Sequence, residues 1–324
     1  MAAALHDVAQ LGLYQAGLVT SSGGTRLEWA LFLLLGFAWG SSYLFIKIGV
    51  DAGLTPFTLV TLRLFFGTLL LATVVAVARE RLPRERRTYA HLVVMAVFNV
   101  ALPFTLITWA EGSVESSLAA ILTAPVPLFV IVIGPFFLAD ERITLPRVLG
   151  LLVGFVGVWI LVGFDPTRLA DGDLFPELAL IGACLSYAAG AVYARRNVHG
   201  LRPMIPALFQ VLFAMLIAGT LALLFERPLG LSVQPIAFLA VIWLGLLGSG
   251  LAYLLFFRLL RTWGATRTSL VAYLLPVVGI VLGVLVLREP VDLRLIAGTA
   301  LVIGGIAIVN ARLRLPRRVR AESA

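Results

Sequence analysis

Cysteine is almost missing from this 324-residue chain. Cys184 stands alone, so no intrachain disulfide can form and no cysteine-rich metal site can be assembled. We read it as core filler. Histidine is nearly as scarce: His6, His91 and His199 are scattered and form no HExxH pattern, which removes the usual zinc-hydrolase arrangement. The stretch "GLLGSG" at 245–250 lacks GxSxG spacing, and no phosphate-cradling GxxxxGK occurs. These absences argue against an enzyme, and no cofactor is expected. Charge is thin as well. Only 13% of residues are Asp, Glu, Lys or Arg, too few to coat a water-soluble globule of this length.

What fills the space is apolar. Hydrophobic residues make up 60% of the chain and the mean hydropathy is +1.02. A bilayer-crossing helix needs roughly 20 mostly apolar residues. Such runs follow one another near 28–49, 57–78, 91–110, 116–138, 145–163, 175–194, 204–225, 236–257, 267–287 and 291–310. The expectation is an all-α integral membrane protein of ten transmembrane helices, multi-pass in the plasma (inner) membrane, with the lipid bilayer as its first partner.

The formal charge of +8 does not point to nucleic acid, because the arginines sit in short connections and the tail "ARLRLPRRVR" rather than on a folded basic face. They report topology instead. With a cytoplasmic N-terminus, nineteen Lys and Arg fall on the inside and five on the outside, Arg63 lying within a span. The positive-inside rule therefore places both termini in the cytoplasm. The first 25 residues contain no Lys or Arg, the feature that opens a cleavable signal peptide. The first span is expected to serve as its own insertion signal.

The chain also repeats itself. "PFFLADERITLPRVLG" at 135–150 returns as "GVLVLREPVDLRLIAG" at 283–298. A shift of 148 pairs Glu141 with Glu289, Gly150 with Gly298 and Gly157 with Gly305; a shift of 149 pairs Pro127 with Pro276; a shift of 147 pairs Pro56 with Pro203. A five-span unit written twice enters the membrane from opposite sides, because five is odd, giving two inverted five-helix repeats. The units run over 27–163 and 175–310, joined by an external linker at 164–174 and flanked by a cytoplasmic tail at 1–26 and a basic one at 311–324. Glu141 and Glu289 each precede the last helix of their unit, where negative charge is favoured. Both are read as structural caps, with Thr144 and Asp292 as N-caps beside them.

These stretches resemble a known family. "FAWGSSYLFIKIG", Arg63 after "TPFTLVTL", "SLAAILTAPVPLF" before "ADERIT", and "LLPVVGIVLGVLVLREPVDLRLIAGTALVIGG" are similar to the two repeats of EamA-type members of the drug/metabolite transporter superfamily. The resemblance implies a ten-helix carrier, commonly an exporter of small metabolites, amino acids or toxic compounds, working by alternating access. It names no single substrate. The rival reading is a non-transporting membrane scaffold or receptor on the same helices.

Cargo in inverted-repeat carriers binds near the bilayer midplane. Counting inward places Trp39 and Ser42, Asn99, Thr123, Tyr187, Ser249, Tyr253 and Tyr273 there as substrate-binding candidates, with Pro127 and Pro276 as structural residues at which helices can loosen. Asn99 is the sharpest, since an amide in hydrocarbon needs a partner; that partner can be cargo or a neighbouring helix. Arg63 lies about 9 Å below the external end and is read as a structural anchor that snorkels outward, a substrate-carboxylate contact being the alternative. No acidic residue falls at the midplane, so the expected cargo is neutral, zwitterionic or amphipathic. Glu111 and Glu115, at the external turn, are the candidates for proton coupling. "GLLVG" at 150–154 and "GIVLG" at 279–283 are close-packing patterns, read as internal packing, with a homodimer contact as the alternative.

Overall fold

The computed structural model describes residues 25–138, 144–163, 173–198, 200–263 and 268–310. Among them every regular element is helical. Among the described residues nine helices are long and apolar enough to cross a membrane: α1 (Arg26–Asp51), α2 (Pro56–Val77), α3 (Arg86–Ala110), α4 (Ser116–Phe137), α5 (Leu145–Val162), α6 (Phe175–Asn197), α7 (Met204–Phe225), α8 (Ile236–Trp263) and α9 (Leu270–Leu287). A shorter apolar helix follows, α10 (Leu293–Asn310).

Local chemistry sets the ends of these helices. Thr25 and Glu28 form a reciprocal capping box at the start of α1, satisfying two otherwise orphaned backbone donors. Pro56 opens α2 and Pro146 opens α5, positions where a missing N–H costs nothing. Gly163, at φ +58°, ends α5 in the left-handed conformation.

The distribution of polarity is that of a protein in lipid. Leu293 and Phe136 are 84% and 80% exposed, whereas Arg63, Glu111, Glu177 and Gln210 are buried. Apolar side chains outward and polar ones inward reverse the arrangement of a soluble domain. This is a multi-pass membrane protein.

Helix pairing brings distant parts of the chain together. α5 packs along α10, α2 along α7 and α8, α3 along α6 and α7, α1 along α8 and α9, and α4 along α6 and α9. The α5–α10 seam is built on glycine. A Cβ placed on Gly150 would lie 2.6 Å from the Gly305 carbonyl oxygen, and one on Gly157 would lie 2.8 Å from that of Gly298. The first glycine pattern is thus filled within the chain. The second is too: Gly279 faces Ala120, and Gly283 faces Glu289 and Ser116. Neither is left open for contact with a second copy.

Four helices depart from α geometry. α3 contains a π-helical segment at Val97–Ala101 and α8 one at Leu244–Leu251, starting 147 positions apart, the same offset that aligns Pro56 with Pro203. α4 breaks between Leu122 and Val126. α9 begins as a 3-10 helix over Ser269–Tyr273 before turning α-helical at Leu274. These irregularities lie on the helices that surround α1 and α6.

Candidate functional site

The π segment of α3 explains the position of Asn99. One extra residue per turn frees backbone carbonyls, and the Ser186 hydroxyl of α6 donates to one of them, Phe98 O, at 2.8 Å. Asn99 then projects against α6 at Gly190, where any Cβ would collide with the amide oxygen. Half-buried, the amide makes no hydrogen bond among the described residues. Tyr187, one residue after Ser186, packs on the large apolar cluster shared by α1, α4, α6 and α9.

Trp39 of α1 meets Tyr253 of α8 edge-on, ring centroids 6.3 Å apart at 80°, and Tyr253 stacks on Phe257. Arg63 belongs to α2 and is buried. Its residue is 3% exposed, and its guanidinium carbon sits 4.2 Å above the Phe104 ring of α3. Tyr187, Tyr253, Glu111 and Tyr43 all lie within its electrostatic reach. The outward, snorkelling course expected for Arg63 is not observed, since the side chain is buried. Glycines in the π segment of α8 leave room for an inward course: a Cβ at Gly248 would come 3.5 Å from Arg63 Nη2 and 2.8 Å from Ser42 Oγ.

Other candidates have different tasks. Ser42 donates to Ala38 O at 3.1 Å and is buried at the mouth of that Gly248 gap. Thr123 is bound to Tyr43: the two hydroxyls are 2.5 Å apart, and Thr123 Oγ1 also donates to Ala119 O. Thr123 so terminates the first half of α4 and ties it to α1. The helix break falls at Thr123–Pro125, and Pro125, rather than Pro127, starts the second half, with Pro127 one turn position further in. Cys184 is more than filler, because its thiol donates to the freed Leu122 carbonyl at 3.2 Å. Pro276 is buried just after the 3-10 segment of α9, and Tyr273 packs on the same cluster as Tyr187. Ser249 is buried and its hydroxyl finds no hydrogen-bond partner among the described residues. It presses against Gly67 of α2, a helix-packing position.

The carboxylates cluster at one end. Glu111 is fully buried and neither carboxylate oxygen finds a hydrogen-bond partner. Burial first, then the Glu289 and Asp51 charges, push its carboxyl well above the usual range, against the opposing pull of Lys47 and Arg63. Lys47 donates to the Glu111 backbone carbonyl at 2.9 Å and pairs with Asp51. Glu115 is raised more modestly, by burial and then by Glu289 and Asp292.

Glu289 corrects a second expectation. It does not cap the last helix of its own unit; Asp292 does, accepting from Leu295 N at 2.7 Å. Glu289 crosses to the other unit and accepts from Ser116 N at 2.7 Å, Ser117 N at 2.9 Å and the Ser117 hydroxyl, capping α4. Glu226 does the same for α2, accepting from Phe57 N, Thr58 N and the Thr55 and Thr58 hydroxyls. Glu141 lies outside the described residues. Thr144 occupies the N-cap position of α5 but makes no capping bond through its side chain.

Sequence reading missed Tyr43, whose signal was its place in the polar run Ser41-Ser42-Tyr43, and Phe104, which looks like any lipid-facing aromatic until Arg63 is seen over it.

The sequence model of the EamA-like transporter family matches this chain twice, over residues 27–163 and 174–311. The chain belongs to that family. Its relatives include the uncharacterized transporter YoaV of Bacillus subtilis, 23% identical over 83% of this chain and 91% of YoaV. The uncharacterized inner membrane transporter YedA of Escherichia coli K12 is 29% identical over 78% of this chain and 80% of YedA. Protein PagO of Salmonella typhimurium is 25% identical, over 77% of this chain and 82% of PagO. One solved structure, titled "Crystal structure of protein", shares the fold with a TM-score of 0.61, covering 88% of this chain and 96% of its own at 21% identity. The double match of the EamA-like model agrees with the internal repeat, and the glycine seam between α5 and α10 joins the ends of the two matched regions.

Proposed function

We propose that this EamA-like protein is a secondary transporter, not an enzyme, that moves a small neutral, zwitterionic or amphipathic solute by alternating access. Export is the direction the family resemblance favours. The single observation that carries the reading is a buried, unpaired Arg63 guanidinium and an unbonded Asn99 amide in a bundle whose helices α3, α4, α8 and α9 leave α geometry. Irregular backbone at membrane depth is tolerated only inside protein or beside a wet cavity, and hydrophobic packing alone requires neither a buried guanidinium nor an unbonded amide.

The transport cycle we propose uses this architecture. The two five-helix units are inverted relative to one another, a reading supported by reciprocal contacts: Gly150 meets Gly305 while Gly157 meets Gly298, the exchange expected of a twofold axis between α5 and α10. With both termini cytoplasmic, the Glu111 end is external. There Glu226 and Glu289 of the second unit cap helices of the first, and at the opposite end Arg202 pairs with Glu80 at 2.9 Å. Rocking one unit against the other exchanges which set of cross-unit contacts is closed. Glu111, with Glu115 beside it, is assigned as the coupling carboxyl: burial favours its neutral form, and opening of the external end would favour its ionised one.

Counterflow in proteoliposomes tests this. Saturable exchange of a labelled solute that falls at least tenfold in Asn99→Ala and Tyr253→Ala supports transport. Normal membrane insertion with no saturable exchange of any solute supports a scaffold. If the double variant Glu111→Gln with Glu115→Gln keeps its pH-dependent flux, the coupling assignment is wrong.

A further inference from the structure

The two ends of the α2–α7 pair are built to one plan. Gly53 and Gly200 stand 147 positions apart and both take positive φ, +98° and +72°. Three residues after each comes the proline that starts the next helix, Pro56 at the first position of α2 and Pro203 at the N-cap of α7. Just past the far ends of these helices Arg79 and Arg227 are left-handed, at φ +49° and +48°. Non-glycine residues seldom adopt that conformation, so its return at matching positions marks a loop geometry common to both units.

Only one end is stitched shut. There Gln234 N of the α7–α8 loop donates to Ala52 O of the α1–α2 turn at 3.0 Å. A Cβ on Gly53 would lie 2.7 Å from the Ser232 carbonyl oxygen. Glu226 accepts from Phe57 N at 2.8 Å, from Thr58 N at 2.7 Å and from the Thr55 and Thr58 hydroxyls. Main chain and side chain of the two units are thus joined together, through partly buried, charge-assisted bonds of the stronger kind.

The matching end is tethered but open. Among the described residues nothing lies within 4 Å of a Cβ added at Gly200, and no main-chain bond joins the α6–α7 turn to the α2–α3 loop. What remains is Glu80 on Arg202, the residue before Pro203 just as Thr55 is the residue before Pro56. The Arg202 side chain is 67% exposed, and water and salt weaken such a pair.

Resting on the transporter reading above, we propose that these are two halves of an alternating clasp: residues 52–58 close on 226–234 in the state described, and residues 200–202 close on 80–84 when the first contact opens. The exposed Glu80–Arg202 pair holds the second clasp in line while it is open. Gln234 lies two residues before α8 and Arg84 two residues before α3, which makes Arg84 the counterpart that the α6–α7 turn meets on closure.

Paired cysteines test this in the full chain, reconstituted in a Cys184→Ala background, with a short bis-methanethiosulfonate as the cross-linking probe and no solute added. Ala52→Cys with Gln234→Cys reports the first clasp, and Val198→Cys with Arg84→Cys the second. The first pair should link in most molecules and the second in a small share. Glu226→Gln removes the charge that holds α2, and should lower the first yield and raise the second, each by about threefold. Thr58→Val keeps the side-chain shape and deletes one hydroxyl, so it should shift both yields the same way by less. A second yield that stays flat in both variants while the first falls overturns the clasp. Saturable counterflow with the second pair never linked, or with both pairs linked at once, also overturns it and leaves transport standing. Reciprocal yields in protein that shows no saturable counterflow of any solute keep the clasp and overturn transport.

Discussion

Gly150 and Gly305 approach so closely that a methyl group on Gly150 would sit 2.6 Å from the Gly305 carbonyl oxygen. The contact is backbone to backbone, with no flexible side chain to yield. Overpacking of this kind costs about 1–3 kcal/mol or more. Gly150→Val and Gly305→Val should each lower the Tm of the solubilised protein clearly, whereas Gly304→Ala, one residue away with nothing within 4 Å of its added Cβ, should be neutral or slightly stabilising, since alanine is the better helix former. Equal Tm values for Gly305→Val and Gly304→Ala would refute the seam.

The cross-unit caps give a second prediction. Glu289→Ala strips acceptors from the Ser116 and Ser117 amides at the start of α4. Leaving a buried donor unsatisfied costs about 1–3 kcal/mol. Glu226→Ala should act similarly on α2. Glu289→Gln, which keeps one acceptor oxygen, should lose less stability than Glu289→Ala; the order is read from thermal unfolding, and the reverse order would contradict the capping role.

Glu111 links burial to pH. Its folded-state carboxyl is raised above the ordinary carboxylate value of 4.5, so between that value and the folded one the native protein holds a proton that the unfolded chain has released. By linkage, this group's contribution is fully present below the ordinary value and declines as pH rises through the window to the folded one. Glu111→Gln should flatten that part of the Tm–pH profile and raise Tm at neutral pH relative to wild type. An unchanged slope would mean that the carboxyl is solvated or paired.

Much of the fold was legible in the sequence because the bilayer imposes one rule on every span. Predicted and observed spans coincide at 116, 145, 175, 204 and 236, where Ser, Leu, Phe, Met and Ile begin apolar runs. α3 starts earlier than predicted, at Arg86, because a polar first turn can be helical without being apolar. Asn99, Tyr253 and Trp39 were nominated by depth alone. The inward course of Arg63 was not, since depth does not tell which way a long side chain turns; that depends on Gly245 and Gly248 opening the facing helix. The crossing of Glu289 to α4 was hidden for a related reason. Sequence proximity favoured the nearby α10 terminus, but Asp292 already fills it.

Asn99 and Gly190 make a linked pair. Since the amide occupies the space a Cβ at Gly190 would need, Gly190→Ala should displace Asn99 and reduce counterflow about as much as Asn99→Ala does. The double variant should be no worse than either single one, the non-additivity expected of residues acting through one contact. Additive losses would place Asn99 outside the transport site.

The most direct measurement of the central claim is sided thiol labelling of the aromatic gap. In a Cys184→Ala background, which removes the natural thiol, Asn99→Cys and Tyr253→Cys are exposed to a membrane-impermeant reagent applied to one face of the membrane and then to the other. The account predicts that both positions label, from one face in each state, and that a transported solute protects them and shifts labelling to the other face. Failure to label from either face under any condition, with both variants folded, would contradict a solute gap between the two units.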